Sequence, residues 1–142
     1  MKIVFANDKI GECVKIRTDV FVIEQGVPPE LEVDGFDAPG APCDHFLIVD
    51  GDDNVGTFRC IFEGGAVHVG RLCVKKEHRG EGFGRAALEF IEKIYAARGY
   101  EKLTLGAQVT AIPFYEKCGF KVVSDVFLDA GIEHRKMEKA LR

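Results

Sequence analysis

The sequence lacks long apolar runs, and this absence limits where the protein can reside. No window approaches the 18 consecutive apolar residues that a membrane-spanning helix needs. At the N-terminus, one lysine is followed by only four apolar residues, which is too short for the apolar region of a signal peptide. We therefore expect a cytoplasmic protein that has no membrane as a partner.

Cysteine and histidine patterns typical of metal sites are also absent. The five cysteines are odd in number and widely spaced, no C-x-x-C motif occurs, and the four histidines follow no metal-ligand spacing. We therefore expect no bound metal, no disulfide framework and a reducing compartment. The segment 50–56 resembles the start of a calcium loop. Because Ile61 stands where the closing glutamate belongs, a hairpin turn is favoured instead.

Positive charge is missing from a long stretch near the N-terminus. Between Thr18 and Phe58 there is no lysine or arginine, whereas aspartate and glutamate occur ten times. The net charge of the whole chain is −4, which gives no reason to expect a nucleic-acid partner. The acidic stretch 18–58 points instead to a cationic ligand, provided that it is more than solvated surface.

The residues that are present are those of one folded domain, residues 1–142, with 46% apolar and 30% charged residues. Hydrophobic periodicity and turn residues predict the order β-α-loop-βββ-α-β-α-β-β, an α+β layout with a mixed sheet. Strands are predicted at 2–6, 45–49, 55–62, 67–74, 102–107, 120–127 and 134–141. Helices are predicted at 10–21 with a cap at Asn7 or Asp8, at 83–98 and at 110–118, and a long functional loop is predicted at 26–42.

The segment 71–85, RLCVKKEHRGEGFGR, predicts an anion-binding loop. A strand ends there, three glycines lead directly into a helix, and five cationic side chains accompany two acidic ones. Glycines allow backbone N–H groups to converge, and a helix N-terminus adds partial positive charge, which together suit a pyrophosphate. A P-loop is excluded, because no Lys-Ser or Lys-Thr follows the glycines. Gly82, Gly84 and Ala87 fit a dinucleotide fingerprint, but the next strand lacks the acidic residue that would hold a ribose.

Two motifs together give the chain a family resemblance. Arg79, Gly82 and Gly84 fill the pattern R-x-x-G-x-G, and the later segment 111–120, AIPFYEKCGF, fills the pattern A-x-x-F-Y-x-x-x-G-F. With both motifs in this order, the chain resembles the GNAT superfamily of acetyl-CoA-dependent N-acetyltransferases. Further segments, at 17–25, 30–37 and 44–46, are similar to the ElaA-like and YjcF-like branch. Gln108 departs from the family pattern, since many members carry asparagine there.

The resemblance implies a GNAT-like acyl-CoA N-acyltransferase fold, with a mixed central sheet flanked by helices. It also implies direct transfer of an acetyl group from acetyl-CoA to a primary amine, with Tyr115 as the general acid for the coenzyme A thiolate. Backbone N–H groups at the end of the third meander strand would stabilise the oxyanion. The residues implied to bind the co-substrate are Leu72, Cys73, Val74, Arg79, Gly80, Glu81, Gly82, Phe83, Gly84, Arg85, Gln108 and Tyr115.

The general base for the acceptor amine is left open. Glu24 is the first candidate and His45 the second, and a water chain without a dedicated base is an alternative. His134 lies toward the acceptor side in the implied topology, although a lone histidine is more often structural. His68 and His78 flank the co-substrate strand and loop, where exposure or phosphate contact is favoured over base catalysis.

Three other interpretations are weighed beside acetyl transfer. The first is a non-catalytic acyl-CoA-binding or sensory module on the same fold, with a homodimer left open. The second is a dinucleotide-binding oxidoreductase, which NAD rather than coenzyme A would stabilise. The third, a Cys73 nucleophile activated by a nearby histidine, is disfavoured because strand residues five apart point to opposite faces. The expected acceptor is a small-molecule or peptide amine, and the acidic stretch 18–58 predicts that it is cationic.

Overall fold

The structure, a computed structural model, describes residues 1–141. Over this range eight strands form one sheet in the order β1-β2-β3-β4-β5-β8-β6, and β7 pairs with β8. The strands are β1 (Lys2–Phe5), β2 (Cys43–Asp50), β3 (Asp53–Glu63), β4 (Ala66–Val74), β5 (Lys102–Gln108), β6 (Lys121–Val122), β7 (Phe127–Asp129) and β8 (Ile132–Ala140). The helices are α1 (Ile10–Arg17), α2 (Pro29–Glu32), α3 (Phe83–Ala97) and α4 (Ile112–Lys117), with a π-helical segment at Thr18–Glu24. Because β4 and β5 pair in parallel and the other strands antiparallel, the predicted α+β fold with a mixed sheet is confirmed.

The structure differs from the sequence-based prediction at the first helix. The α-helix ends at Arg17 and continues as the π-helical segment, and its N-cap position is Lys9, whose side chain makes no capping bond. Asn7 is not the cap because its side chain is used elsewhere. Its Oδ1 accepts the backbone N–H of His45 at 2.7 Å, which ties the chain before α1 to β2.

The predicted strand at 120–127 is also wrong, because it is divided into β6 and β7. At the break, the backbone N–H of Lys136 on β8 donates to the Ser124 side-chain oxygen at 2.7 Å rather than to a strand carbonyl. Arg135 Nε donates to the Ser124 carbonyl at 2.9 Å. One backbone bond persists, from the N–H of Val123 to the Lys136 carbonyl at 2.9 Å, and at Ser124 side-chain hydrogen bonds replace the backbone ladder.

Two apolar clusters cover opposite faces of the sheet. Phe46 and Ile48 on β2 contribute to the larger cluster, which packs beneath α3, whereas Leu47 between them contributes to the smaller one beneath α1. This alternation follows from the two-residue period of a strand. Gly99, at φ +89°, ends α3 as predicted.

The feature that creates the site is the separation of β4 from β5. These two strands pair only between Ala66–His68 and residues 102–104. Beyond that point β4 carries a bulge, where its register with β3 shifts and Arg71 adopts φ +54°. A bulge bends and twists its strand, so the second half of β4 departs from β5 and a cleft opens between them.

Gly56 on β3 is required where this strand passes behind the bulge. A Cβ at this position would lie 2.7 Å from the Cys73 carbonyl oxygen and 3.0 Å from Ile48 Cδ1. Because the nearer atom belongs to the backbone of a central strand, Gly56→Ala should lower the free energy of unfolding by about 1–3 kcal/mol. Urea denaturation measures this change. Gly11→Ala is the control, since nothing lies within 4 Å of its Cβ and alanine favours the helix; equal losses in both variants would contradict the prediction.

Candidate active site

A cleft of about 950 Å³ lies between the separated halves of β4 and β5. Its walls are formed by the glycine-rich loop, the start of α3, α4, α2 and the β7–β8 hairpin. The structure brings together all but one of the residues predicted to bind the co-substrate. Those that line the cleft are Leu72, Cys73, Val74, Arg79, Gly80, Gly82, Phe83, Gly84, Arg85, Gln108 and Tyr115, whereas Glu81 does not.

The glycine-rich loop has the geometry of an anion cradle. Gly80 and Gly82 adopt φ +81° and +85°, in the left-handed region that favours glycine, and α3 begins directly after Gly82. No side chain caps this helix, so the N–H groups of its first turn are left for a ligand. Gly84 is needed for packing, because its Cβ would lie 3.3 Å from the ring of Phe114.

Tyr115 projects from α4 into the wall of the cleft. Its ring packs edge-to-face against Phe114 and Phe120, with centroids 5.1 and 5.9 Å away. Burial raises the pKa of the Tyr115 hydroxyl to about 12. The side chain is therefore a neutral phenol at physiological pH, which can donate a proton but cannot act as a base.

Cys73 and the nearby histidines do not form a nucleophilic pair. Burial raises the pKa of the Cys73 thiol to about 12, so the thiol stays protonated. His68 Nδ1 instead contacts Thr104 Oγ1 at 3.0 Å, and burial lowers the pKa of this imidazole. A covalent cysteine mechanism therefore has no activated thiolate here.

Glu24 lies beside the cleft rather than in its wall. Its carboxylate accepts two hydrogen bonds from Arg79, one of them at 2.7 Å from Nη2 to Oε1. This pairing lowers the pKa of Glu24 and raises that of Arg79. The adjacent Gln25 accepts a hydrogen bond from Gln108 at 2.8 Å. The role of Glu24 as a general base stays a prediction, and its carboxylate is bound here by Arg79 of the glycine-rich loop.

His45, the second candidate base, is enclosed away from the cleft. Its side chain is only 3% exposed, and its Nε2 contacts the Phe36 carbonyl oxygen at 2.9 Å. Asp37 lies 4.0 Å from its Nδ1. His45 is not among the residues that line the cleft, and its role as a general base stays a prediction.

His45 contacts an ionic network that pairs three of the ten acidic residues of the stretch 18–58 with arginines. Arg17, with a side chain 1% exposed, binds Glu32 Oε1 and Asp37 Oδ1, each at 2.7 Å. Arg59 binds Asp34 at 2.7 Å and Asp37 at 3.1 Å, and Arg71 extends the network to Glu32 at 3.2 Å. We define these residues as the ionic network. Its arginines flank the acidic stretch in sequence, so these carboxylates are partners of the protein's own cations.

The β7–β8 hairpin supplies cleft residues of which the sequence analysis singled out only His134. Phe127 and Asp129 on β7 line the cleft, and so does His134 on β8. The only sequence signal for this hairpin is the Ala-Gly turn at 130–131. This turn lies between the strands predicted at 120–127 and 134–141, where no element was predicted.

Comparison with known proteins agrees with this geometry. The family model described as an acetyltransferase (GNAT) domain matches residues 41–141, and the chain belongs to this family. The uncharacterized N-acetyltransferase YjcF of Bacillus subtilis is 38% identical, over 98% of this chain and 99% of its own. An acyl-CoA N-acyltransferase from Pseudomonas aeruginosa superposes with a TM-score of 0.84 at 26% identity, covering 98% of this chain and 97% of that one. ElaA of Escherichia coli has a TM-score of 0.84 at 25% identity, covering 97% and 98% of the two chains. The predicted ElaA-like and YjcF-like branch is confirmed.

Among residues 1–141, no helix has the length and apolar character to cross a membrane. In the same range, no three or more His, Cys, Asp or Glu side chains are grouped to hold a metal ion.

The ionic network yields a stability prediction at Asp37. Asp37→Asn removes the carboxylate that bridges Arg17 and Arg59, leaving two buried guanidinium groups with too little compensating charge. We expect the free energy of unfolding at pH 7 to fall by about 3–5 kcal/mol, measured by urea denaturation. Asp52→Asn, at an exposed turn, is the control and should change little.

The same variant has a predictable pH dependence. Burial alone would raise the pKa of Asp37, but hydrogen bonds from Arg17 outweigh it and hold the pKa well below its ordinary value. A carboxyl with a depressed pKa in the folded state stabilises the fold above its unfolded pKa, about 4, and loses that contribution as pH falls further. The stability gap between wild type and Asp37→Asn should therefore be full at pH 5–7 and shrink below about pH 4. A gap that widens in acid would contradict this account.

Proposed function

We propose that the protein transfers an acetyl group from acetyl-CoA to a primary amine by direct attack. The observation that carries the proposal is the position of one protonated phenol, Tyr115, in the same cleft as the glycine-rich anion cradle. The cradle suits the pyrophosphate of coenzyme A, and the phenol suits protonation of its thiolate. Membership of the GNAT family and the similarity to an acyl-CoA N-acyltransferase support this reading.

The binding of the co-substrate follows from the loop. N–H groups at the start of α3 meet the pyrophosphate, and Arg79 and Arg85 add positive charge at the cleft wall. Arg79 is already oriented by Glu24. The pantetheine arm then extends along β4 toward the bulge, past Gln108 at the end of β5. Acetyl-CoA supplies the activated thioester in this arrangement.

The chemistry is the attack of a neutral amine on the thioester carbonyl. Backbone N–H groups at the bulge, in Leu72–Val74, are the proposed donors to the oxyanion that forms. When the C–S bond breaks, the departing thiolate takes the proton of Tyr115, and the phenolate regains one from the nitrogen of the new amide. The high pKa of Tyr115 keeps the acid protonated before each turnover.

Replacement of Tyr115 tests the proposal. Tyr115→Phe removes the proton donor but keeps the ring packing, so kcat for acetyl transfer should fall about 100-fold or more. Free thiol released from acetyl-CoA in the presence of primary amines reports the rate. The thermal stabilisation produced by acetyl-CoA should be retained. Tyr100→Phe is a matched control, because Tyr100 packs against Phe62 and Tyr95 and does not line the cleft.

The outcomes separate the alternatives. Unchanged kcat in Tyr115→Phe would contradict the role of this phenol. Stabilisation of the wild type by acetyl-CoA without thiol release from any amine would instead favour the non-catalytic acyl-CoA-binding module. Stabilisation by NAD but not by coenzyme A would favour the dinucleotide-binding alternative.

A further inference from the structure

The β7–β8 hairpin presents four side chains to the cleft in a fixed arrangement. Phe127 lies opposite His134, and Asp129 lies opposite Ile132, and all four line the cleft. The connecting turn holds the register, because Ala130 and Gly131 adopt φ +52° and +78°, as in the two-residue turns that fit a hairpin's twist. A non-glycine residue in the left-handed region is uncommon and costs free energy, which marks this turn as one that the fold maintains.

His134 is oriented so that one ring nitrogen remains available to a ligand. Its Nδ1 lies 2.7 Å from the Ile132 carbonyl oxygen, which can only accept, so Nδ1 carries the proton and the lone pair of the neutral ring is on Nε2. No described side chain or backbone group bonds to Nε2. The ring stacks on Phe127 with centroids 6.0 Å apart, and it is 9% exposed.

Glycine at position 106 keeps this part of the cleft open. Gly106 on β5 lies beside the hairpin, and a Cβ there would be 3.6 Å from Phe127 Cζ and 4.0 Å from His134 Cδ2. Cδ2 is the ring atom bonded to Nε2. A side chain at this position would therefore extend over the edge of the imidazole that carries the free lone pair.

Asp129 is the carboxylate of the cleft that has no partner. Of the acidic residues that line the cleft, Glu32 is held by Arg17 and Arg71. The side chain of Asp129, an exposed residue, makes no hydrogen bond or ion pair within residues 1–141, although its backbone pairs with Ile132. It is also diagonal to His134 across the two strands, within reach of one small cationic group. The negative charge available to an acceptor is thus on the hairpin and not in the acidic stretch 18–58.

We propose that this hairpin is the acceptor site, with His134 as the general base, and that it takes a primary monoamine on a flat apolar body. Phe127 and Ile132 contact the apolar body, Asp129 attracts the ammonium group, and His134 Nε2 removes its proton. The inference rests on the acetyl transfer proposed above. It excludes polycations and amino sugars as preferred acceptors, because one unpaired carboxylate and an apolar wall give them too few polar partners.

The proton transfers balance. The ammonium R–NH₃⁺ gives one proton to His134 Nε2 and becomes R–NH₂, whose lone pair forms the C–N bond. The C–S bond then breaks, and the amide nitrogen loses a second proton, which reaches the thiolate through Tyr115. His134 returns its proton to solvent, so the products are R–NH–COCH₃, the free thiol and one H⁺.

The test compares two histidines in one cleft. His134→Asn retains a side-chain N–H that can donate to the Ile132 carbonyl but removes Nε2, and His68→Asn is the matched control. The wild type is first assayed for thiol release from acetyl-CoA with phenethylamine, spermidine and glucosamine, and we expect phenethylamine to give the highest kcat/KM. With phenethylamine, His134→Asn should lower kcat about 100-fold or more, whereas His68→Asn should change it by less than about 10-fold.

A further variant at position 134 distinguishes loss of the base from loss of folding. His134→Ala should regain part of its activity on addition of imidazole, and each variant should be stabilised by acetyl-CoA as the wild type is.

Asp129→Asn should raise KM for phenethylamine about 10-fold, with a smaller change in kcat, because it removes a charged partner of the ammonium.

Each remaining result counts against the inference. Unchanged kcat in His134→Asn, or an equal loss in His68→Asn, would overturn the role of His134 and leave acetyl transfer standing. A preference for spermidine or glucosamine would overturn the acceptor class alone. If the wild type released no thiol with any of the three amines, the acceptor class would be overturned, and thiol release with amines of other classes would then decide whether acetyl transfer stands.

Discussion

The parallel pairing of β4 with β5 stops after three residues of each strand, and the position of that break determines the rest of the site. Up to His68 the two strands are neighbours in one sheet. Beyond it, the bulge at Arg71 turns β4 away, and the unpaired backbone of both strands becomes the wall of a cleft. N–H groups in the middle of a sheet would be used by the ladder, so only a split of this kind makes them available to a substrate.

The ionic network stabilises the strand at its bend. Arg71, whose backbone forms the bulge, binds Glu32 and Asp34 through its side chain. Glu32 is bound in turn by Arg17 at the end of α1. The segment of 26–42 that covers the cleft is thus connected to the strand that forms it. Buried ion pairs are a weak source of net stability, but loss of one partner is costly, and that property favours a single arrangement of loop and strand.

The sequence predicted the elements whose structure is determined by residues close to one another in the chain. The meander of β2 to β4, the start of α3 after Gly82 and its end at Gly99 follow from local periodicity and from glycine conformations. The ionic network could not be predicted in this way, since Arg17 and Asp37 meet only when the loop folds back on α1. The unpaired state of the Asp129 carboxylate could not be predicted either, because whether a carboxylate is paired depends on tertiary contacts and not on composition.

Because pairing depends on tertiary contacts, the carboxylate that can act on a ligand is not in the stretch that the composition suggested. The acidic stretch 18–58 suggested an anionic surface for a cationic acceptor, but its buried carboxylates already compensate Arg17, Arg59 and Arg71. An ion pair of this kind projects little field into the cleft, whereas a single unpaired carboxylate on the wall acts directly on a bound cation. Arg79 and Arg85 are themselves paired with Glu24 and Glu89. Among the described residues, the cleft therefore combines the backbone anion cradle at the start of α3 with one unpaired carboxylate on the hairpin. In the proposed reaction the cradle holds the polyphosphate of the thioester and Asp129 attracts the ammonium group, so one cleft receives both reactants.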